Sequence, residues 1–243
     1  MTEKEILDRL NNDEDYYGEF GKQYLSQSKI GTIINEPYEF YNEVVHDHLS
    51  IANLEFGTYF HALMLEPYKA ELYEFIDVKS RRTNKFKEAW KENNKVLTYE
   101  EHRLAMDLAN IMQSNDEFAP YIYDDNNTYE TAGLIKIQNT IWKGKADIVT
   151  PHSVIDLKTS SNIHRFQFSF KDYYYSCQAW LYEKMFGKPV EFFVACKKTK
   201  MLGKFRVTSD WAKQHGEDNV LKAIEYYNKY IIGDEQFYVE QDL

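Results

Sequence analysis

The sequence is poor in cysteine and has no long apolar run. Only Cys177 and Cys196 occur among 243 residues, and they do not form a CxxC pair. A zinc site or a disulfide framework is therefore not expected. No apolar stretch is long enough to cross a bilayer, and the N-terminus is polar and acidic, so we expect neither a secretory signal nor a membrane anchor. These absences predict a protein of a reducing, intracellular compartment.

Several signatures of other enzyme classes are also missing. No segment matches the phosphate-binding pattern GxxxxGK followed by Ser or Thr, which argues against a helicase or another nucleotide-driven motor. The sequence contains no GxSxG elbow and no reactive cysteine context, so it does not support nucleophilic catalysis. There is no internal repeat and no linker rich in Pro, Gly or Ser. We therefore predict a single domain over residues 1–243.

The net charge of −10 argues against a protein that simply coats nucleic acid. The basic residues are nevertheless clustered. The range 79–95 has seven basic and two acidic residues, and the range 197–206 has five basic residues and no acidic one. Each cluster alone fits a solvated surface, but together they favour a groove that binds phosphates.

Hydrophobic spacing predicts helices that flank a group of strands. A short helix starts near Ser26 or Ser28 and ends at Pro37, and Thr98 and Glu101 form a capping box within a mostly helical region. The other helices are predicted at 53–66, 170–186 and 210–232, and the strands at 129–138, 141–149, 153–158, 190–197 and 203–207. This order indicates a mixed α/β (α+β) fold.

The most informative segment joins two of these strands. Asp156 and Lys158 alternate with apolar residues, so they share one face of their strand, and a hairpin connection places Asp147 beside Asp156. Adjacent carboxylates repel each other, and a hard divalent cation such as Mg²⁺ or Mn²⁺ relieves that repulsion. Lys158 is positioned to orient a water or to stabilise charge on a phosphate. Taken alone, the Asp-x-Lys triplet fits an ordinary exposed ion pair equally well.

These strands resemble the PD-(D/E)XK nuclease superfamily. Asp147, followed by Asp156-Leu157-Lys158, is similar to its P-D…(D/E)-x-K signature, with Ala146 at the position of the proline. Three further segments are similar to motifs of the RecE/RecB-like exonuclease branch and come in the same order. They are Ser26-Gln-Ser28 with Pro37, Gly57-x-x-x-His61 with Glu66-Pro67, and Gln178-x-x-x-Tyr182.

The resemblance implies a role for each matching residue. His61, Asp147, Asp156 and the carbonyl of Leu157 would hold the metal, while Gln178 and Tyr182 would position substrate. A lone histidine on an apolar helix also fits a core residue, and Glu130 fits either an added ligand or the surface. The stretch His46-Asp47-His48 is expected at the surface. Residues expected to contact DNA are Ser26, Ser28, Arg81, Arg82 and Lys85.

The implied fold is a central mixed sheet flanked by helices, with a helical insertion at about 80–125. The implied activity is that of a phage-type exodeoxyribonuclease, similar to exodeoxyribonuclease VIII, that uses Mg²⁺, with Mn²⁺ as a substitute. Its partners would be DNA, a single-strand annealing protein and other copies of the chain, in the cytoplasm of a bacterial host. Two alternatives stay open: a structure-specific or single-strand endonuclease of the same fold, and an inactive DNA-binding module. Two cysteines exclude the iron–sulfur members of the superfamily.

Overall fold

The computed structural model describes residues 1–41, 51–233, 235 and 236. The segment His46-Asp47-His48 lies outside these residues. Within the described ranges, no helix combines the length and the apolar character needed to span a membrane.

Helices are more abundant than strands among the described residues, and the strands are concentrated in the second half of the chain. The α-helices are α1 (Glu3–Leu10), α2 (Asp13–Tyr17), α3 (Glu19–Lys22), α4 (Ile30–Asn35), α5 (Pro37–Tyr41), α6 (Ile51–Leu65), α7 (Pro67–Ala70), α8 (Asn84–Glu92), α9 (Tyr99–Gln113), α10 (Ala119–Ile122), α11 (Phe166–Asp172), α12 (Tyr175–Phe186) and α13 (Asp210–Tyr226). The strands are β1 (Glu74–Ile76), β2 (Val96–Thr98), β3 (Thr128–Ile137), β4 (Thr140–Val149), β5 (Val154–Ser160), β6 (Val190–Cys196) and β7 (Leu202–Arg206).

A five-stranded mixed sheet forms the centre of the fold, in the order β3-β4-β5-β6-β7. β3, β4 and β5 are antiparallel neighbours, β6 runs parallel to β5, and β7 pairs antiparallel with β6. The parallel β5–β6 pair needs a crossover, which α11 and α12 supply. The predicted mixed α/β fold is thus confirmed, and so are its five strands.

The two faces of the sheet are covered by different helices. Ile155 and Leu157 of β5 are fully buried in a cluster with residues of α6 and α9. Val154 of β5 and several β6 residues pack on the other face against α11 and α12. Gly144 in β4 allows the close approach of α12, because a Cβ there would lie only 2.5 Å from Tyr182 Cε1. The two faces of β5 thus pack against different pairs of helices.

Local capping explains where several helices begin and end. Thr98 and Glu101 make both bonds of the predicted capping box at the start of α9. The helix predicted at 170–186 is instead two helices, because Tyr174 adopts a left-handed backbone conformation with φ of 56°. α4 ends at Asn35, two residues before Pro37, in agreement with the predicted stop. Pro37 then starts α5, where a missing N–H is tolerated.

Two structural features were not predicted. The region at about 80–125 contains β2, which pairs in parallel with β1 in a separate small sheet. Helices α1 to α3 lie within residues 3–22. The polar, acidic composition of this stretch alone does not predict them. Thr2 and Glu5 form a capping box of the same T-x-x-E pattern as Thr98 and Glu101, so the sequence did carry a signal for α1.

Candidate active site

The centre of the site is the point where β4 and β5 separate. Their ladder pairs Ile148 with Ile155 and Val149 with Val154. At the next position the carboxylate of Asp147 interrupts it: its Oδ2 accepts a hydrogen bond from the backbone N–H of Leu157 at 2.6 Å. The Asp147 carboxylate therefore provides an acceptor for the buried N–H of Leu157, and this bond fixes Asp147 between the two strands.

Asp156 and Lys158 lie on the α12 side of β5, as alternation along a strand requires. The side chain of Asp156 is almost completely buried, and its Oδ1 accepts a hydrogen bond from Gln178 Nε2 at 2.6 Å. Its Oδ2 lies 2.5 Å from Lys158 Nζ but receives no well-directed hydrogen bond. One oxygen of a buried carboxylate is thus available to a further ligand.

Gln178 and Tyr182 are one turn apart on α12 and both contact this strand pair. Gln178 binds Asp156, and the Tyr182 hydroxyl donates a hydrogen bond to the carbonyl oxygen of Lys145 at 2.7 Å. Both side chains are at least nine-tenths buried. Through these contacts α12 holds the β4 backbone and the Asp156 carboxylate in place.

His61 reaches the same point from α6, on the other face of the sheet. Its Nε2 lies 2.7 Å from the carbonyl oxygen of Leu157, and its Nδ1 lies 3.4 Å from Asp147 Oδ2. The ring is partly exposed and faces polar atoms, a position that suits metal ligation, which stays a prediction. A ring nitrogen, a carboxylate and a carbonyl oxygen meet here.

Glu130 belongs to the same group. Ligand atoms of His61, Glu130 and Asp147 all lie within 4.8 Å of one another. Tyr129 pairs with Ile148 and Thr131 with Ala146, so Glu130 faces Asp147 across the β3–β4 ladder. Its φ of 47° is unusual for a residue other than glycine and occurs inside a strand. The surface alternative considered for Glu130 does not describe its position.

The pKa values reflect a crowded set of charges. Burial raises the pKa of Asp156 to about 6 and that of Glu130 to about 7, in both cases with a contribution from the charge of Asp147. Burial alone would lower the pKa of His61, but the Asp147 carboxylate outweighs it and raises this pKa to about 9. For Asp147, burial is outweighed by His61, and the pKa falls below its ordinary value. The carboxylates are therefore poorly neutralised by protein alone.

This arrangement fits a divalent cation. The available donors are carboxylate oxygens, a backbone carbonyl oxygen and one imidazole nitrogen, a set suited to Mg²⁺ or Mn²⁺. The open Oδ2 of Asp156 and the raised pKa values of Asp156 and Glu130 are what a site built for added positive charge would show.

The predicted DNA-contacting residues lie in the turn before α4 and around the start of α8. The hydroxyls of Ser26 and Ser28 are 3.0 Å apart, in the turn that precedes α4. Arg81 is held by Glu101, whose carboxylate accepts hydrogen bonds from Arg81 Nε at 2.9 and 3.1 Å. Arg82 and Lys85 are exposed near the start of α8.

An N-terminal contact to the catalytic strand was missed by sequence reasoning. The Asp13 carboxylate of α2 binds the ammonium groups of Lys145 on β4 and Lys69 on α7. Lys143 donates to the backbone carbonyl of Tyr16. The only sequence signal for these contacts is the alternation of Lys143, Lys145 and Asp147, which places all three on one face of β4.

Comparisons with known proteins agree with this geometry. A family model described as "PDDEXK-like domain of unknown function (DUF3799)" matches residues 28–235. A crystal structure named "Putative exonuclease" from Eubacterium rectale is similar in fold, with a TM-score of 0.63, 18% sequence identity, and coverage of 95% of this chain and 96% of that chain. The crystal structure of SSO0001 is a weaker match, with a TM-score of 0.33, 16% identity, and coverage of 68% of this chain and 84% of that chain. Curated protein sequences give no match.

Proposed function

Since the chain belongs to this PDDEXK-like family, we propose that it is a divalent-metal-dependent nuclease that hydrolyses phosphodiester bonds of DNA from an end. One observation supports this proposal above all others: Asp147, Asp156 and Lys158 meet where β4 and β5 separate, with His61 against the same point from α6. A carboxylate pair with a lysine is the set of groups that metal-assisted phosphodiester hydrolysis needs.

The roles follow from the positions of the side chains. His61, Asp147, Asp156 and the Leu157 carbonyl would hold the cation, which we propose to be Mg²⁺, with Mn²⁺ as a substitute. When bound, the cation would polarise the scissile phosphate and make a nearby water more acidic. Lys158 would orient that water and stabilise charge on the phosphate. Gln178 would keep the Asp156 carboxylate in place, and Tyr182 would fix the β4 backbone.

The proposed substrate contacts extend beyond the centre. Ser26 and Ser28, together with Arg82 and Lys85, offer hydroxyl, guanidinium and ammonium groups to a phosphate backbone. Arg81 would contribute mainly by fixing the segment through Glu101, since that carboxylate already holds its guanidinium. The chain as a whole is acidic, so these local basic clusters would direct the phosphate backbone of DNA to one side of the protein.

The biological setting is proposed from the resemblance of the sequence to phage-type exonucleases. A nuclease domain without a nucleotide-driven motor segment suits end processing in phage recombination or replication. A single-strand annealing protein would take over the exposed strand, and several copies of the chain would assemble around the DNA, in the cytoplasm of a bacterial host.

Linear and circular substrates test the proposal. We expect end-labelled linear duplex DNA to be degraded to short products with Mg²⁺, while covalently closed circular DNA stays intact and EDTA stops the reaction. The position of the lost label gives the polarity. Cleavage of the circle would instead indicate the endonuclease alternative. No cleavage of single- or double-stranded DNA with either metal would contradict the proposed activity and favour a DNA-binding module.

A further inference from the structure

The N-terminal segment, residues 1–22, is held rigidly against the strand that carries Asp147. The family match begins at residue 28 and does not include it. Its Leu10, Tyr16 and Phe20 are buried in a cluster with Ala132 of β3. In addition, Asn11 Oδ1 accepts a hydrogen bond from the Ala132 N–H at 2.9 Å. These contacts attach the segment to the β3–β4 hairpin.

The attachment continues toward the metal-binding residues. Lys143 and Lys145 are both at least nine-tenths buried on the same face of β4 as Asp147. The Lys143 ammonium lies 3.9 Å from the centre of the Tyr16 ring, and the Lys145 ammonium binds Asp13. Asp13 also binds Lys69, which in turn pairs with Glu66 at 2.6 Å. The segment is therefore fixed on two sides, by β4 and by α7.

Tyr17 is the residue of this segment whose aromatic surface is left open. Its side chain is 68% exposed, whereas Tyr16 beside it is buried. The ring packs edge-on against Tyr16, with centroids 4.9 Å apart, and its centre is 5.9 Å from the Lys145 ammonium. Lys145 lies two residues before Asp147, on the same face of β4. The exposed ring thus lies beside the strand that carries Asp147.

The chemistry next to Tyr17 favours a ligand that is recognised by stacking. The positive charge of Lys145 is already balanced by Asp13, and the site itself is rich in carboxylates. Phosphate attraction alone is therefore weak here without a metal. A nucleobase can stack on an exposed aromatic ring whatever its sequence, which adds affinity that does not depend on charge.

We propose that Tyr17 is a stacking residue for a nucleobase of the DNA strand next to the scissile phosphate. This inference rests on the proposed nuclease function. It gives the N-terminal segment a direct part in substrate binding, because the contacts of Asp13 and Tyr16 hold Tyr17 beside Lys145, on the strand of Asp147. The same contacts make Tyr17 rigid before DNA binds, which reduces the entropy lost on binding.

The test measures binding separately from cleavage. A single-stranded oligonucleotide with 2-aminopurine near its end is titrated with protein in EDTA, and the fluorescence change gives the dissociation constant. We expect Tyr17→Ala to weaken binding about 10-fold, the effect of ~1.4 kcal/mol of stacking. Tyr17→Phe and Tyr17→Trp, which keep a ring, should bind within about twofold of the unsubstituted protein. Trp211→Ala is the matched control, because Trp211 is 55% exposed on α13, where its ring stacks on His215.

Two results would overturn the inference. One is equal binding by Tyr17→Ala and the unsubstituted protein, including the case in which neither binds. The other is a loss with Tyr17→Phe as large as with Tyr17→Ala, which would assign the effect to the hydroxyl. Cleavage of DNA by the unsubstituted protein with Mg²⁺ or Mn²⁺ separates the two claims, because the titration in EDTA measures stacking without any cleavage. Absence of this cleavage contradicts the nuclease proposal, whereas the titration alone decides the role of Tyr17.

Discussion

Replacing Lys158 by Met should destabilise the metal-free protein in a manner that depends on pH. In the folded protein the Lys158 ammonium lies 2.5 Å from Asp156 Oδ2, and the Asp156 side chain is almost fully buried. Methionine keeps most of the volume of lysine but removes the charge. The hydrogen bond from the Gln178 amide and the charge of His61 then remain to stabilise the buried carboxylate.

The magnitude follows from the burial and from the pKa of Asp156. Removing one partner of a buried ion pair costs about 3 kcal/mol or slightly more, because an unpaired charge stays in the interior. With a pKa of about 6, Asp156 is ionised at about pH 8 and largely protonated at about pH 5. At the lower pH the substitution removes only the polar contact of the ammonium with a neutral acid, which is worth about 1 kcal/mol.

The sign of the pH dependence is fixed by linkage. A carboxyl whose pKa is higher in the folded than in the unfolded state favours folding at low pH, and this contribution is lost as the pH rises through the folded-state value. Burial raises the pKa of Asp156 already in the unsubstituted protein, and loss of Lys158 removes a charge that lowers it. The difference in stability between the two proteins should therefore widen as the pH rises from about 5 to about 8.

Urea unfolding of EDTA-treated protein at these two pH values measures the effect. Lys213→Met is the matched control: Lys213 pairs with Glu183 at 3.3 Å on the surface, and its loss should change stability by less than about 1 kcal/mol at either pH. A penalty for Lys158→Met that is the same at both pH values would refute the reasoning, because it would mean that Asp156 is not the group left unpaired.

Three further predictions concern the packing and chemistry of the site. Gln178→Ala should lower cleavage about 10- to 100-fold in a single-turnover assay, since the Asp156 carboxylate loses the bond that orients it; an unchanged rate would contradict this role. Gly144→Val should destabilise the fold by about 2–3 kcal/mol in thermal unfolding, because the valine side chain would overlap Tyr182. Gly57→Ala should instead stabilise the fold, because a Cβ at this position of α6 meets open space. Mn²⁺ affinity measured by calorimetry should rise about tenfold per pH unit between about pH 7.5 and about pH 9, where Asp156 and Glu130 are already largely ionised, and lose this dependence in His61→Ala, because the metal displaces the proton that His61 holds below its pKa of about 9.

Much of the sheet could be predicted because its strands carry strong local signals. β3 to β7 alternate or run apolar between turn residues, and each was predicted to within about two residues. The hairpin between β4 and β5 also predicts Asp147 beside Asp156 from the sequence alone. Local pattern was sufficient wherever the contact partners are close in sequence.

The remaining features depend on contacts between distant parts of the chain. Alternation does not reveal that β4 and β5 separate at Asp147, or that its carboxylate takes the Leu157 N–H in place of a backbone partner. The break between α11 and α12 reflects the left-handed conformation of Tyr174, which the sequence does not encode through a glycine. Asp13 is 132 residues from Lys145, so no local pattern could have paired them.

Glu130 shows the same limit at a single position. Its neighbours suggest an ordinary strand residue, and its polar side chain fits a surface position as well as a ligand position. Only the register that sets it opposite Asp147, together with its positive φ, places it in the group with His61. Register depends on the whole hairpin rather than on one residue.

The most direct test of the central claim is the dependence of DNA cleavage on Asp156 and on metal. EDTA-stripped protein is returned to Mg²⁺ or Mn²⁺ and mixed with end-labelled linear duplex, in parallel with Asp156→Ala and with Glu225→Gln, a surface carboxylate control on α13. We predict that the unsubstituted protein and Glu225→Gln release labelled product only with metal, and that folded Asp156→Ala releases none. Cleavage by Asp156→Ala at the unsubstituted rate, or undiminished cleavage in EDTA, would contradict a metal-dependent centre at the β4–β5 junction.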